Sequence, residues 1–146
     1  MLRVYLAASY SMKKQIEAEA AELRALGIEI TSSWLEEKHA PTTQMEELTH
    51  EEHQLYAMRD VQDVLDADVF VFHTDPTKTI VRGGRHVEFG IAVGAGMHIY
   101  VVGEERENIF HRLPDVRHFV TWEDVKLQLC SDSDMLKVFN GGYEGA

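Results

Sequence analysis

A glycine pair followed by a glutamate is the stretch of this sequence best suited to chemistry. Gly83 and Gly84 stand at the predicted start of a helix, where a ligand can approach the backbone and free N–H groups favour an anion. Glu88 lies about one turn further on, where the positive end of the helix dipole is expected to keep its carboxylate ionised. Such a carboxylate is a candidate nucleophile. Surface glutamates are also common in a first helical turn, so residue type alone leaves both interpretations open.

Two polar residues follow the most continuous apolar run of the chain, residues 68–72. His73 could donate a proton near neutral pH, or it could simply bond a loop carbonyl. Asp75 precedes Pro76 and could serve as a second acid or only form a turn. Both residues are therefore candidates for acid–base work.

Four further side chains suit an oxyanion such as phosphate. Ser9 and Ser11 lie in the first predicted strand-to-helix turn, where serines either bind a ligand oxygen or cap the helix. Arg82 and Arg85 flank the glycine pair and could form a fork for phosphate, since guanidinium groups bind oxyanions through paired hydrogen bonds. Solvent-exposed arginines are the alternative in a chain this acidic.

Short apolar runs alternate with amphipathic stretches along the whole chain. This alternation predicts a single α/β domain with an open parallel sheet of about five strands, Rossmann-like or flavodoxin-like, and helices on both faces. Ligands bind such sheets at the carboxyl ends of the strands, where Ala8 and the residues above should meet. The domain is expected to span residues 1–130, with a C-terminal tail over 131–146. The predicted strands cover residues 4–7, 28–31, 68–72, 98–103 and 119–120, and the helices 9–26, 51–65, 83–96 and 121–129.

Bulk properties narrow the possible partners. The 146 residues carry a formal net charge of -11, which repels a nucleic-acid polymer. No apolar run approaches the ~20 residues of a membrane span, so no membrane association is expected. The single cysteine, Cys130, fits a reducing compartment, and we expect a cytoplasmic protein.

Three motifs in this order resemble the nucleoside 2-deoxyribosyltransferase family, which includes N-glycosidases that cut nucleoside monophosphates. They are VYLAA at residues 4–8, ADVFV at residues 67–71, and Gly84-x-x-x-Glu88-x-Gly90-x-Ala92. The resemblance implies that Glu88 attacks the anomeric carbon of a small nucleoside or nucleotide and forms a glycosyl-enzyme intermediate. It implies no metal or organic cofactor. A non-catalytic nucleotide-binding module on the same fold is the rival hypothesis.

The resemblance also suggests roles for other residues. Tyr5 takes the place of a residue that lines the sugar pocket, with a core aromatic as the alternative. His73 stands where the family's acid follows the central strand and departs from the acidic residue expected there. Arg82 occupies a position where the transferases tend to carry aspartate and the monophosphate hydrolases serine. An asparagine from a neighbouring subunit completes the family's site, so Asn108 is a candidate, with a cap or turn asparagine as the alternative, and a homo-oligomer is expected. Trp34 could stack on a nucleobase or plug the core.

Overall fold

The computed structural model describes residues 1–37, 48–77 and 83–144. Five parallel strands form one sheet in the order β2-β1-β3-β4-β5, which confirms the predicted fold class. The strands are β1 (Arg3–Ala7), β2 (Glu29–Ile30), β3 (Val69–His73), β4 (His98–Val102) and β5 (Val116–Phe119). The central strands β1 and β3 are buried from both sides, as expected for continuous apolar runs.

Four helices cover the two faces of the sheet. They are α1 (Lys13–Ala25), α2 (His50–Leu65), α3 (Gly84–Gly94) and α4 (Trp122–Glu144). On one face, Phe89 of α3 packs on Phe70 and Phe72, and α2 lies beside α3. On the other, α1 and α4 are joined by Lys126 and Glu22, whose Nζ and Oε2 are 2.8 Å apart. None of these described helices has the length and apolar content that crossing a membrane requires.

The last helix is longer than its sequence indicates. Its predicted start is confirmed, because the Thr121 hydroxyl accepts a hydrogen bond from the Asp124 N–H at 3.2 Å. Its predicted end near Leu129 is wrong, since α4 continues to Glu144 and includes most of the segment expected to be a tail. The Ser and Asp residues after Leu129 favour helix ends in isolation. Here Asp132 bonds the Tyr100 hydroxyl and Leu136 packs on the core, and these contacts extend the helix.

Four apolar residues at helical spacing form a stripe along α2, and this stripe points away from the sheet. The spacing of these residues predicted the helix correctly, yet their side chains are 40–65% exposed. Val64 alone among the described residues of α2 is fully buried. The side of α2 that turns inward carries polar groups, and these belong to the site described below. The exposed residues of the stripe are Leu55, Met58, Val61 and Leu65.

Candidate active site

A contact between Tyr5 and Glu88 lies at the centre of the candidate site. Tyr5 is fully buried in β1, where its ring stacks on Phe70 with centroids 5.5 Å apart. Its hydroxyl donates a hydrogen bond to Glu88 Oε2. Glu88 reaches this position because α3 begins at Gly84, after Gly83 turns the chain with a left-handed φ of 85°. The structure thus brings together two residues for which the family resemblance implied a place in one pocket.

Burial, and not the helix dipole, controls the charge of Glu88. Desolvation raises the pKa of its carboxyl, the Tyr5 hydrogen bond lowers it, and the charges of Asp60, Asp63 and Glu37 raise it again, which together bring the pKa to about 7. The prediction that the helix dipole keeps this carboxylate ionised is therefore corrected, because burial and the neighbouring acids favour its protonated form. Burial and the nearby Glu88 charge also raise the pKa of Tyr5 well above its usual value, so its hydroxyl remains a donor.

The acids nearest to Glu88 come from α2 and from the segment before it. Asp63 Oδ2 accepts a hydrogen bond from the Ser33 N–H at 2.9 Å, while Glu37 bonds Arg59. Burial raises the pKa of Asp60, and its hydrogen bond and ion pair with Arg59 oppose that rise. This cluster was not predicted from the sequence, because the apolar residues at helical spacing in α2 indicated a helix that faces the core with those residues. The signal was the i, i+3 spacing of Asp60 and Asp63, which places both on one side of a helix.

His73 lies on the opposite face of the sheet from Glu88. Alternate residues of a strand point to opposite faces, and Phe72 packs on α3, so His73 points toward α1 and α4. Its Nε2 is 2.6 Å from Glu19 Oε1, its Nδ1 is 3.0 Å from the Ala7 carbonyl, and Trp122 stacks on it. A carbonyl can only accept, so Nδ1 carries a proton and His73 is held as a buried structural donor. The prediction that it supplies the catalytic proton is corrected.

The predicted second acid, Asp75, closes a turn. Its Oδ1 accepts hydrogen bonds from the Thr77 N–H at 3.0 Å and the Thr77 hydroxyl at 2.5 Å. Its own N–H donates to Glu107 at 3.1 Å. These contacts match the turn alternative and give Asp75 a part in fixing the end of β3.

Arg85 is buried in an ion pair with Glu107, called here the Arg85–Glu107 brace. It does not form an exposed fork for phosphate. Its Nη1 and Nη2 each lie 2.6 Å from a Glu107 oxygen, and Nη1 also donates to the His73 carbonyl at 3.2 Å. The guanidinium packs over the Phe72 ring at 4.8 Å, and the residue is 5% exposed. Glu107 therefore joins the first turn of α3 to Asp75 at the end of β3. The expected role in phosphate binding is corrected for Arg85, while Arg82 lies outside the described residues.

Three predicted residues of the first strand-to-helix turn have different environments. Ser9 is 6% exposed, and within the described chain its hydroxyl has no hydrogen-bond partner. It precedes the 3-10 helix Tyr10–Met12 without capping it, so capping does not explain its presence. Ser11 is exposed and Ala8 is half-buried. The Ser9 hydroxyl is thus a buried polar group whose presence the described contacts do not explain.

The remaining candidates make structural contacts. Trp34 is buried, and its Nε1 donates to the Leu6 carbonyl at 2.8 Å, which matches the core alternative. Asn108 caps the 3-10 helix Ile109–Arg112 by accepting from the Phe110 N–H at 2.9 Å, and its amide lies 3.4 Å from His86 Nδ1.

Gly84 is exposed, and a Cβ built on it meets nothing within 4 Å, so a ligand has room there. Across the described ranges, no group of three His, Cys, Asp or Glu side chains could hold a metal ion.

Comparisons with known proteins support the fold. No protein-family model matches the chain, and no curated protein matches it. A 2-deoxyribosyltransferase from Bacillus psychrosaccharolyticus matches in structure with a TM-score of 0.63 and 20% identity over 84% of this chain and 89% of that one. A CMP N-glycosidase of Clostridium botulinum matches with a TM-score of 0.55 and 21% identity over 82% and 88%.

A third solved structure extends the comparison. A conserved protein from Enterococcus faecalis matches with a TM-score of 0.53 and 16% identity over 87% of this chain and 86% of that one. Each of these matches covers more than four fifths of both chains, so the shared fold extends over most of the chain.

The Arg85–Glu107 brace is testable by stability measurements. We expect Glu107→Ala to lower the free energy of unfolding by about 3–5 kcal/mol, because it leaves a buried guanidinium without its partner. The double variant Arg85→Met, Glu107→Ala should recover part of that loss, as measured by urea unfolding. Glu123→Ala is the matched control, since its ion pair with Lys126 lies at the surface. A loss for Glu107→Ala no larger than the control's would contradict the brace.

Proposed function

We propose that this chain belongs to the nucleoside 2-deoxyribosyltransferase family and cleaves or exchanges the N-glycosidic bond of small nucleosides or nucleotides. The observation that carries the proposal is the Tyr5–Glu88 hydrogen bond beside a group of acids. The names of two structural neighbours, a 2-deoxyribosyltransferase and a CMP N-glycosidase, support the same class of reaction. A binding module alone would have no use for so many carboxyl groups close together.

The reaction runs as a double displacement. A Glu88 oxygen attacks the anomeric carbon as the bond to the base breaks, which forms a glycosyl ester on Glu88. Tyr5 holds the other oxygen through its hydroxyl. The departing base takes a proton from an acid, which becomes a carboxylate. A second base or a water molecule then attacks the anomeric carbon, gives a proton back to that carboxylate and releases Glu88. Transfer and hydrolysis differ only in that acceptor.

Asp60 is the proton donor in this proposal. His73 is committed to Glu19 on the other face of the sheet. The Asp60 charge acts on both Glu88 and Tyr5, and burial raises the Asp60 pKa toward the range where a carboxyl can donate a proton. Two carboxyl groups with different environments can then divide the roles of nucleophile and acid.

A nucleoside 5′-monophosphate hydrolase is the second candidate function. The exposed backbone at Gly84, the first residue of α3, is suited to a phosphate, because N–H donors at a helix start bind oxyanions. Arg85, in contrast, is occupied by Glu107. The Gly84 N–H therefore favours a phosphate without help from that arginine.

Glu88→Gln tests the nucleophile. Base exchange and hydrolysis should fall by at least roughly a thousandfold, because an amide cannot form the glycosyl ester. The same change should raise the free energy of unfolding at pH 8 by about 1–3 kcal/mol, since it removes a charge that burial disfavours. The folded pKa of about 7 exceeds the ordinary 4.5. Wild-type stability should therefore decline between those pH values as pH rises, and the variant should lose this decline.

Both effects are measured on one sample, by product analysis of deoxynucleosides mixed with a foreign base and by urea unfolding across pH. Exchange within about tenfold of wild type would remove Glu88 from the mechanism. An unchanged pH dependence of stability would instead show that Glu88 ionises as it does in water.

Asp60→Asn tests the donor through the leaving group. We expect a loss of about 10²–10⁴-fold on nucleosides whose base leaves poorly, and a much smaller loss on an activated base that needs no proton. His73→Gln is the matched control and should affect both substrates equally, because its contacts are structural. A leaving-group dependence seen with His73→Gln and absent with Asp60→Asn would restore histidine as the acid.

We also propose that a second copy of the chain covers the α2–α3 face. The exposed stripe of α2 lies on the same face as the 3-10 helix Ile109–Arg112, where Ile109 and Phe110 are exposed beside Asn108. Large exposed apolar patches mark interaction sites. In sedimentation experiments, Met58→Asp should shift the wild-type oligomer toward monomer, while Gln54→Asp on an exposed polar position of α2 should not. A wild-type monomer would refute the assembly.

A further inference from the structure

Arg59 connects two carboxyl groups of the candidate site. Its Nε and Nη2 donate to the same oxygen of Asp60, Oδ1, at 3.2 and 2.9 Å. Nη2 also bonds Glu37, and the guanidinium lies over the Tyr56 ring at 4.9 Å from its centroid. Consecutive residues of a helix do not normally face each other, so the Arg59 side chain must fold back to reach Asp60. Glu37 and Tyr56 hold it in that position.

We infer that Arg59 is a positioning residue: it anchors Oδ1 of Asp60, so that Oδ2 carries the proton to the departing base. Both of its donors to Asp60 go to Oδ1, and an oxygen that accepts two N–H bonds is the poorer place for a proton. The inference rests on the proposed function and on the assignment of Asp60 as its acid. It adds which oxygen acts and which residue orients it.

The proton transfer also leaves a charge that Arg59 is placed to neutralise. As the bond between the anomeric carbon and the base breaks, Glu88 forms a bond to that carbon and the base nitrogen takes the proton from Oδ2. Asp60 is then a carboxylate, hydrogen-bonded to a guanidinium that is already in place. A charge-assisted bond of this kind is stronger than one between neutral groups, so Arg59 favours the state after transfer.

Among the groups that act on the pKa of Asp60, Arg59 has an effect opposite in sign to that of the neighbouring acids. Glu37 and Asp63 face Asp60 with negative charge, and Glu88 and Tyr5 lie within electrostatic reach. Burial raises the Asp60 pKa and Arg59 lowers it, so Arg59 is the cation that opposes the other influences. Burial lowers the pKa of Arg59 itself, but its bonds to Glu37 and Asp60 together raise that pKa by more than burial lowers it. Arg59 therefore stays charged.

Arg59→Met and Arg59→Lys test the inference. With Arg59→Met, the pKa of Asp60 should rise, which shifts the kcat/KM profile to higher pH. On poorly leaving bases, kcat should fall by about tenfold, less than for Asp60→Asn because the donor is still present. Arg59→Lys restores the charge without the fork, so its pH profile should return toward wild type while kcat recovers only in part. Arg24→Met, on an exposed position of α1, is the control and should change neither quantity.

A second measurement does not depend on catalysis. Carbon-13 NMR of the side-chain carboxyl groups follows the titration of Asp60 directly in wild type and in Arg59→Met. A higher Asp60 pKa in the variant supports the inference, and an unchanged titration or an unmoved kcat/KM profile overturns it. A wild-type protein that cleaves no nucleoside or nucleotide overturns the proposed function instead, whatever the Asp60 titration shows.

Discussion

The rest of the site depends on how one partly buried carboxyl group is accommodated. Glu88 is bonded to Tyr5 in a region where Asp60, Asp63 and Glu37 all disfavour its charge. These acids work against the ionisation of Glu88 and favour its protonated form. In the proposed reaction, positive charge that develops at the anomeric carbon of the substrate would reverse that balance, because the same acids would then stabilise it. An arrangement that disfavours the charge of Glu88 in the free protein would thus favour the transition state of the proposed glycosyl transfer.

The doubly wound sheet keeps this chemistry apart from a second buried polar group. Successive residues of β3 point to opposite faces, so Phe72 packs under α3 while His73 meets Glu19 and Trp122 on the other side. The His73–Glu19 pair sits among core residues and binds the end of β1 through the Ala7 carbonyl. One face of the sheet therefore carries Glu88 and the acids that act on it, and the other face holds the strand ends that position them.

Much of this could be predicted from sequence, and the failures have physical causes. The strands were predictable because buried parallel strands are continuous apolar runs, and Gly83 because a helix start has a local pattern. Glu88 was selected through the family resemblance, and its role as nucleophile stays a prediction. The face to which His73 points could not be predicted, since it depends on which helices cover each side of the sheet. The fate of Arg85 depends on Glu107, a partner distant in sequence that no local pattern identifies. Contacts of this kind form only when the whole sheet is assembled.

The helix α2 shows how site and assembly constrain each other. Apolar residues at helical spacing normally face a core, but here the inward positions are needed for Asp60 and Asp63, which must lie near Glu88. A helix has too little circumference to turn both sets inward, so the apolar set, with Met58 among it, faces out. Because α2 turns its acids toward the site, its apolar side chains are exposed to water, which is energetically unfavourable. A partner that covered this surface would stabilise the same helix that holds the acids, and in this way assembly would support catalysis.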